Sequence, residues 1–466
     1  MRNKGAYIWY FGGRIIPQII NLITNIILVR YLSPEDFGQI GILAIFISIS
    51  TTLTDAGFGG SIIKEENISS IDLSTVFIYN LIVGCSLYLL LFWGSPIIEA
   101  YFKVQGLAYV NRLLCLVFVI NAFSLIPKTI LIRSLNFKII SIISVIGVGF
   151  ASLMALGSAL TGFGVYSLVI YQITYAISDV ICLEFVTRYK YSFKFSTSSF
   201  KKLFSFGFYT TVCNILEAGY TNIMISLFGK YMNLSSAGYL YQAQKLETSA
   251  TNSLAITINT VAFPVLTRIK SDRNIFFEET VSLFRNFSLF LFPIFWLIIV
   301  YGKEIIMLVF GKEWEGAGIY LSFLMIVGIF YVMESLTRNF IKSLGEVKIL
   351  AKYTLIKRVI GIGIILACLL VSPFAMLYGY ILSTFLGYLI NIKIYSQIIK
   401  VSFRTILIGH LKYLGISMFI LVICFCVKLL NNNLIELISV VSSMVLYYFF
   451  IAKFLFGLRL SALNIK

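Results

Sequence analysis

The chain has 466 residues, 59% of them hydrophobic and 12% charged, with a mean hydropathy of +0.93 and a formal net charge of +17. A soluble globular protein is about 25% charged, so one aqueous core cannot hide this much apolar surface and the bilayer must serve as solvent. On such a chain the positive balance marks cytoplasmic loops, and a nucleic-acid partner is excluded.

The N-terminal stretch MRNKGAYIWYFGGRIIPQ has no small-residue cleavage site, and its apolar run belongs to a full-length span. A bilayer-crossing helix needs about 20 mainly apolar residues. That template predicts fourteen spans, near 8–29, 38–62, 74–94, 108–127, 139–160, 163–186, 204–228, 238–263, 282–301, 316–340, 352–371, 374–394, 411–430 and 434–456. The first and eighth carry the most polar residues. The expected class is an all-α polytopic membrane protein.

Charge orients the spans. With Arg2 and Lys4 inside, the alternating inner loops hold Lys128, Arg133 and Lys138, then Arg188, Lys190, Lys194, Lys201 and Lys202, then Arg268, Lys270 and Arg273. Outer loops hold scattered cations such as Lys103 and Lys312, several of them beside acids. This asymmetry places both termini in the cytoplasm. The basic segment near 187–203 reads as a linker between two six-span lobes. The expected domains are an N-lobe over 1–190, a C-lobe over 191–400 and two additional spans over 401–466.

The stretch LVRYLSPEDFGQIG breaks the apolar chain with a charged turn, and SLFGKYMNLSSAGYLY does so two hundred residues later. At that offset Arg30 meets Lys230, Tyr31 meets Tyr231 and Gly38 meets Gly238, although identity elsewhere is near chance. The polar phase is more informative. Span one carries Arg14, Gln18, Asn21 and Asn25 on one face, and span seven carries Asn214, Glu217 and Thr221. Span two carries Ser48, Thr52, Asp55 and Gly59, and span eight carries Tyr241, Lys245, Thr248, Asn252 and Asn259. Such groups in hydrocarbon normally face a bundle interior or a wet cavity. Two lobes of like orientation around such a cavity are the expected arrangement. Helix-to-helix hydrogen bonding is the plainer reading for the Asn, Thr and Ser members, and it fits the charged ones less well.

Several stretches in fixed order resemble one family: LVRYLSPEDFGQIGI, TLTDAGFGGSIIKEENIS, LFSFGFYTTVCNILEAGYTNIMI, GYLYQAQKL, INTVAFPVLTRIKSD, LVFGKEWEGAG and IKSLGEVKILAKYTLIKRVIGI. Together they resemble the Wzx-type oligosaccharide flippases. These form the polysaccharide branch of the multidrug/oligosaccharidyl-lipid/polysaccharide exporter superfamily. The resemblance implies fourteen spans in two lobes and alternating access. Its implied cargo is an undecaprenyl-pyrophosphate-linked repeat unit for O-antigen, capsule or exopolysaccharide. It further implies a bacterial cytoplasmic membrane, with a polysaccharide polymerase and a chain-length regulator as partners beside the membrane lipid. No enzymatic activity is implied.

For that cargo the candidate pyrophosphate holders are Arg14, Arg30 and Lys245; Arg30 also reads as an interfacial anchor. The glycan would meet Gln18, Asn21, Asn25, Asn214, Tyr241, Gln242, Asn252 and Asn259. No nucleotide motif is present, and no cofactor is expected beyond an H+ or Na+ gradient. A gradient needs a membrane-embedded acid. Asp55, Glu217 and Asp179 are the candidates, each of which also reads as half of a structural ion pair. Glu334 and Arg338 are spaced to pair with each other, and Lys357 with Arg358 should reach the cytoplasmic surface. The seven cysteines lack metal spacing, and the single His410 excludes a histidine-based metal site. A cation-coupled drug or metabolite antiporter of the same fold is the alternative. It would favour a more acidic cavity than this one.

Overall fold

A computed structural model describes residues 4–257, 262–428, 442 and 444–449. Regular structure among the described residues is helical, with no strand. In chain order the helices are α1 Lys4–Val29, α2 Pro34–Asp55, α3 Phe58–Lys64, α4 Ser70–Phe102, α5 Leu107–Leu114 and α6 Leu116–Asn121. They continue with α7 Leu125–Arg133, α8 Phe137–Leu160, α9 Tyr166–Thr187, α10 Thr197–Tyr231, α11 Leu234–Thr257 and α12 Phe263–Ile269. The last are α13 Arg273–Val309, α14 Ala317–Ser343, α15 Val347–Leu369, α16 Ala375–Ile399, α17 Phe403–Ser417 and α18 Phe419–Lys428.

Among the described residues, eight helices or continuous helix pairs are long and apolar enough to cross a membrane. The count is nine if the bent pair 107–121 and 125–133 is one span. The protein is a multi-pass membrane protein. Helices α10, α11 and α15 fall outside that set, and α1 offers only the shorter apolar stretch Ile15–Val29. The first two are among the expected polar-striped spans. The expected span at 434–456 lies mostly outside the described residues. The span expected at 108–127 is not one rod: its two parts meet at 45°. Pro127, inside α7, has no N–H for the preceding turn, and Ser124 donates its hydroxyl to the Asn121 carbonyl at 3.0 Å.

The helices gather into two compact units, one of residues 1–242 with 309–314, the other of residues 243–308 with 315–466. In the first unit the charged turn after α1 is a capping box. Ser33 accepts the Asp36 N–H at 3.3 Å, the Asp36 carboxylate accepts the Ser33 N–H at 2.9 Å, and Pro34 opens the helix. Here α2 crosses the start of α11 through the two equivalent glycines. A side chain at Gly38 would run into the Leu234 carbonyl oxygen, and one at Gly238 into that of Pro34. Between them the Ser235 hydroxyl donates to the Glu35 carboxylate. The approach is close because neither glycine has a Cβ.

Segment 309–314 completes this unit. The Trp314 indole N–H donates to the Val29 carbonyl at 3.0 Å, and its ring meets Phe37, Tyr239 and Phe310 edge-on. Further along, Phe58, Phe77, Ile126 and Leu203 form a core shelled by Tyr79, Tyr191, Phe200 and Phe204.

In the second unit α14 is the most deeply buried of the candidate spans. His410 lies flat on Phe284, ring centres 3.5 Å apart, and its Nδ1 shares a 2.8 Å hydrogen bond with the Tyr388 hydroxyl. Trp296 donates its indole N–H to Ser417 at 3.0 Å. Cys424 is buried while Cys426 is exposed, as their different helix faces require.

Candidate functional site

A polar cavity of about 210 Å³ lies within the first unit. Helix α2 supplies Thr51, Thr54 and Asp55 at its last turns. The helix stops there because Ala56 and Gly57 both take left-handed backbone, with φ of 44° and 71°. The chain restarts as α3, and the Gly59 N–H donates to the Asp55 carboxylate at 3.4 Å. Asn80 enters from α4. Asn121, Ser124 and Lys128 come from the bent segment of α6 and α7, and Asp179 from α9. The Lys128 ammonium stands 3.5 Å from the Asp179 carboxylate, whose side chain is 8% exposed against 38% for the lysine. Two of the three expected acids, Asp55 and Asp179, thus line one cavity. Lys128, counted by sequence among the inner-loop cations, lines it too. The third acid, Glu217, is half-buried on α10.

The polar face of α1 reaches other helices of the same unit. Asn21 donates to the Tyr171 hydroxyl at 2.9 Å, and Thr24 to Ser152 at 2.8 Å. Asn25 and Gln242 exchange amide hydrogen bonds at 2.9 and 3.4 Å, both side chains buried. Gln18 is half-buried. Arg30 is exposed, its guanidinium donating to the Val309 carbonyl at 3.3 Å. Tyr241 packs its Cβ beside Gly41. Lys245 is half-buried on α11 and Asn214 is exposed on α10. The side chains of Arg14 and Asn252 lie outside the described part of α1 and α11, and Asn259 lies outside the described residues altogether. Of the expected glycan residues, only Asn25 and Gln242 are joined by a described contact.

The second unit holds a charge cluster that sequence reasoning misplaced. Lys357 and Arg358, expected at the cytoplasmic surface, are 5% and 3% exposed. Lys357 stays inside because its ammonium finds a Glu334 carboxylate oxygen at 2.7 Å and the Asn391 side-chain oxygen at 2.8 Å. Asn391 closes the ring by donating to the Glu334 main-chain carbonyl at 3.3 Å. The expected partner of Glu334, Arg338, stands farther off at 3.8 Å. Gly387 makes the room: a Cβ there would come within 3.3 Å of the second Glu334 oxygen. Glu247, in the same unit, is also buried and packs against Gly328. Among the described residues no group of acids, histidines and cysteines is arranged to hold a metal ion.

Residues 27–319 match the model of a family described as polysaccharide biosynthesis protein. The chain belongs to that family. Its membership agrees with the family expected from the quoted stretches. Among similar proteins is the teichuronic acid biosynthesis protein TuaB of Bacillus subtilis, 26% identical over 60% of this chain and 58% of that one. The chain thus matches under two thirds of that relative's length. The succinoglycan biosynthesis transport protein ExoT of Rhizobium meliloti is 23% identical over 74% of this chain and 70% of its own. The lipopolysaccharide biosynthesis protein WzxC of Escherichia coli is 22% identical over 83% and 80%. Among solved structures, the lipid II flippase MurJ superposes with a TM-score of 0.77 at 16% identity, covering 97% of this chain and 99% of MurJ. An inward-facing multidrug resistance MATE family transporter of the MOP superfamily gives 0.65 at 15% identity, over 84% and 98%. These likenesses establish the fold of this family member.

Proposed function

We propose that the protein flips undecaprenyl-pyrophosphate-linked oligosaccharide repeat units across a bacterial cytoplasmic membrane by alternating access. The cargo would feed O-antigen, capsule or exopolysaccharide assembly, and both termini would be cytoplasmic. Family membership supports the substrate class, since TuaB, ExoT and WzxC are named for teichuronic acid, succinoglycan and lipopolysaccharide biosynthesis. One observation carries the transport reading: Asp55, Lys128 and Asp179 line a cavity inside an apolar helical unit. Ionisable groups at membrane depth are costly, and they mark transport paths. In this reading Arg14, Arg30 and Lys245 hold the pyrophosphate, an H+ or Na+ gradient drives the cycle, and a polymerase with its chain-length regulator receives the product.

The test is a strain depleted of the protein and lacking any second flippase. Its lipid-linked repeat units should accumulate where an impermeant sugar-oxidising reagent added outside cannot reach them. Full labelling from outside in the depleted strain rejects the function.

A further inference from the structure

We propose that the cavity of the first unit is a subsite for one sugar ring of the cargo glycan, held through its hydroxyl groups; the assignment rests on the flippase reading above. Its volume of about 210 Å³ equals the share of about seven waters at ~30 Å³ each. That is the scale of a single pyranose with its hydroxyls, and too little for a whole repeat unit.

The lining is set out for hydroxyl groups. Asn80 is 1% exposed, and its side-chain oxygen has no hydrogen-bond partner among the described residues. A buried acceptor left so costs about 1–3 kcal/mol, which a donating ligand would recover. Thr51 and Thr54 give their protons to the Ile47 and Ser50 carbonyls of their own helix, at 2.9 and 3.0 Å. Their oxygens therefore meet a ligand as acceptors. The Asp55 carboxylate adds another acceptor, and Lys128 supplies a charged donor. A hydroxyl both donates and accepts, so it suits this mixture. The Lys128 ammonium, 3.5 Å from Asp179, already compensates that carboxylate. A phosphate would be repelled by the two carboxylates. Asp55 and Asp179 are then sugar ligands, and Glu217 is the candidate acid that does not line the cavity.

The test uses the purified full chain in nanodiscs, with affinity measured for undecaprenyl pyrophosphate either bare or carrying one hexose, as glucose and as galactose. The wild type should bind one of the hexose-linked forms about tenfold more tightly than the bare lipid, the scale of one net hydrogen bond. That ratio should fall to about one in Asn80→Leu and in Thr54→Val. The Thr54→Val change is nearly isosteric, so it keeps the test open if Asn80→Leu fails to fold. A wild-type ratio of about one overturns the sugar subsite and leaves the flippase reading standing. Failure to bind either lipid overturns the flippase reading itself. A ratio that survives Thr54→Val puts the sugar elsewhere and overturns the subsite.

Discussion

The Lys357 ammonium stands 2.7 Å from a Glu334 carboxylate oxygen, with 2% and 1% of the two side chains exposed. Removing one partner of such a pair strands the other charge, at a cost of about 3–5 kcal/mol. Lys357→Met should therefore lower the thermal midpoint of the detergent-solubilised protein strongly. The double change Lys357→Met with Glu334→Gln should recover part of the loss. A single-variant cost under about 1 kcal/mol is the signature of a solvated pair and would show that water reaches Glu334.

Trp314→Ala removes a fully buried indole that touches Phe37, Tyr239 and Phe310 and donates to the Val29 carbonyl. Its expected cost is about 3–5 kcal/mol. Trp314→Phe keeps a ring and loses the hydrogen bond, which should cost nearer 1 kcal/mol. Unfolding followed by temperature or by pulse proteolysis checks the order; equal effects of the two changes would contradict it.

Gly38→Ala and Gly238→Ala each push a methyl group into a main-chain carbonyl oxygen of the facing helix. Overpacking of this kind costs about 1–3 kcal/mol. Because the two contacts belong to one crossing, the double variant should cost less than the sum of the singles. Melting of the four proteins in a common detergent measures this. Wild-type midpoints in both singles would mean that the helices stand farther apart.

Glu217→Gln should abolish the stimulation of lipid-linked glycan transport by an imposed H+ or Na+ gradient in proteoliposomes. Asp179→Asn should weaken transport while keeping its response to the gradient. It should also leave stability nearly unchanged, since the Lys128 ammonium left without its partner is partly solvated. An intact gradient response in Glu217→Gln, or its loss in Asp179→Asn, would reverse the assignment.

What the sequence showed and what it hid follow the distance over which each feature acts. The Ser33 and Asp36 cap lies within four consecutive residues, so the turn that opens α2 is written locally. The offset of two hundred was visible at Gly38 and Gly238 because a close crossing tolerates only glycine. The burial of Lys357 was invisible: its partners Glu334 and Asn391 lie on other helices, 23 and 34 residues away. Lys128 looked like one more loop cation because the bend beside Pro127 does not show in a hydropathy window. The polar face of α1 posed a different problem. A side chain turned to water and one bonded to a neighbouring helix have the same spacing, and only the fold shows that Asn21, Thr24 and Asn25 reach Tyr171, Ser152 and Gln242.

The crossing of α2 and α11 has the geometry of a dyad. Position 38 meets 234 as 238 meets 34, and 35 bonds 235. Each half of the sequence presents the same patch and receives the same patch, as the subunits of a two-fold homodimer do. A gene encoding one half alone would already specify both sides of that contact. In a single polypeptide each side can differ, and the acid Glu35 and the hydroxyl Ser235 complement one another where identical residues would set like against like.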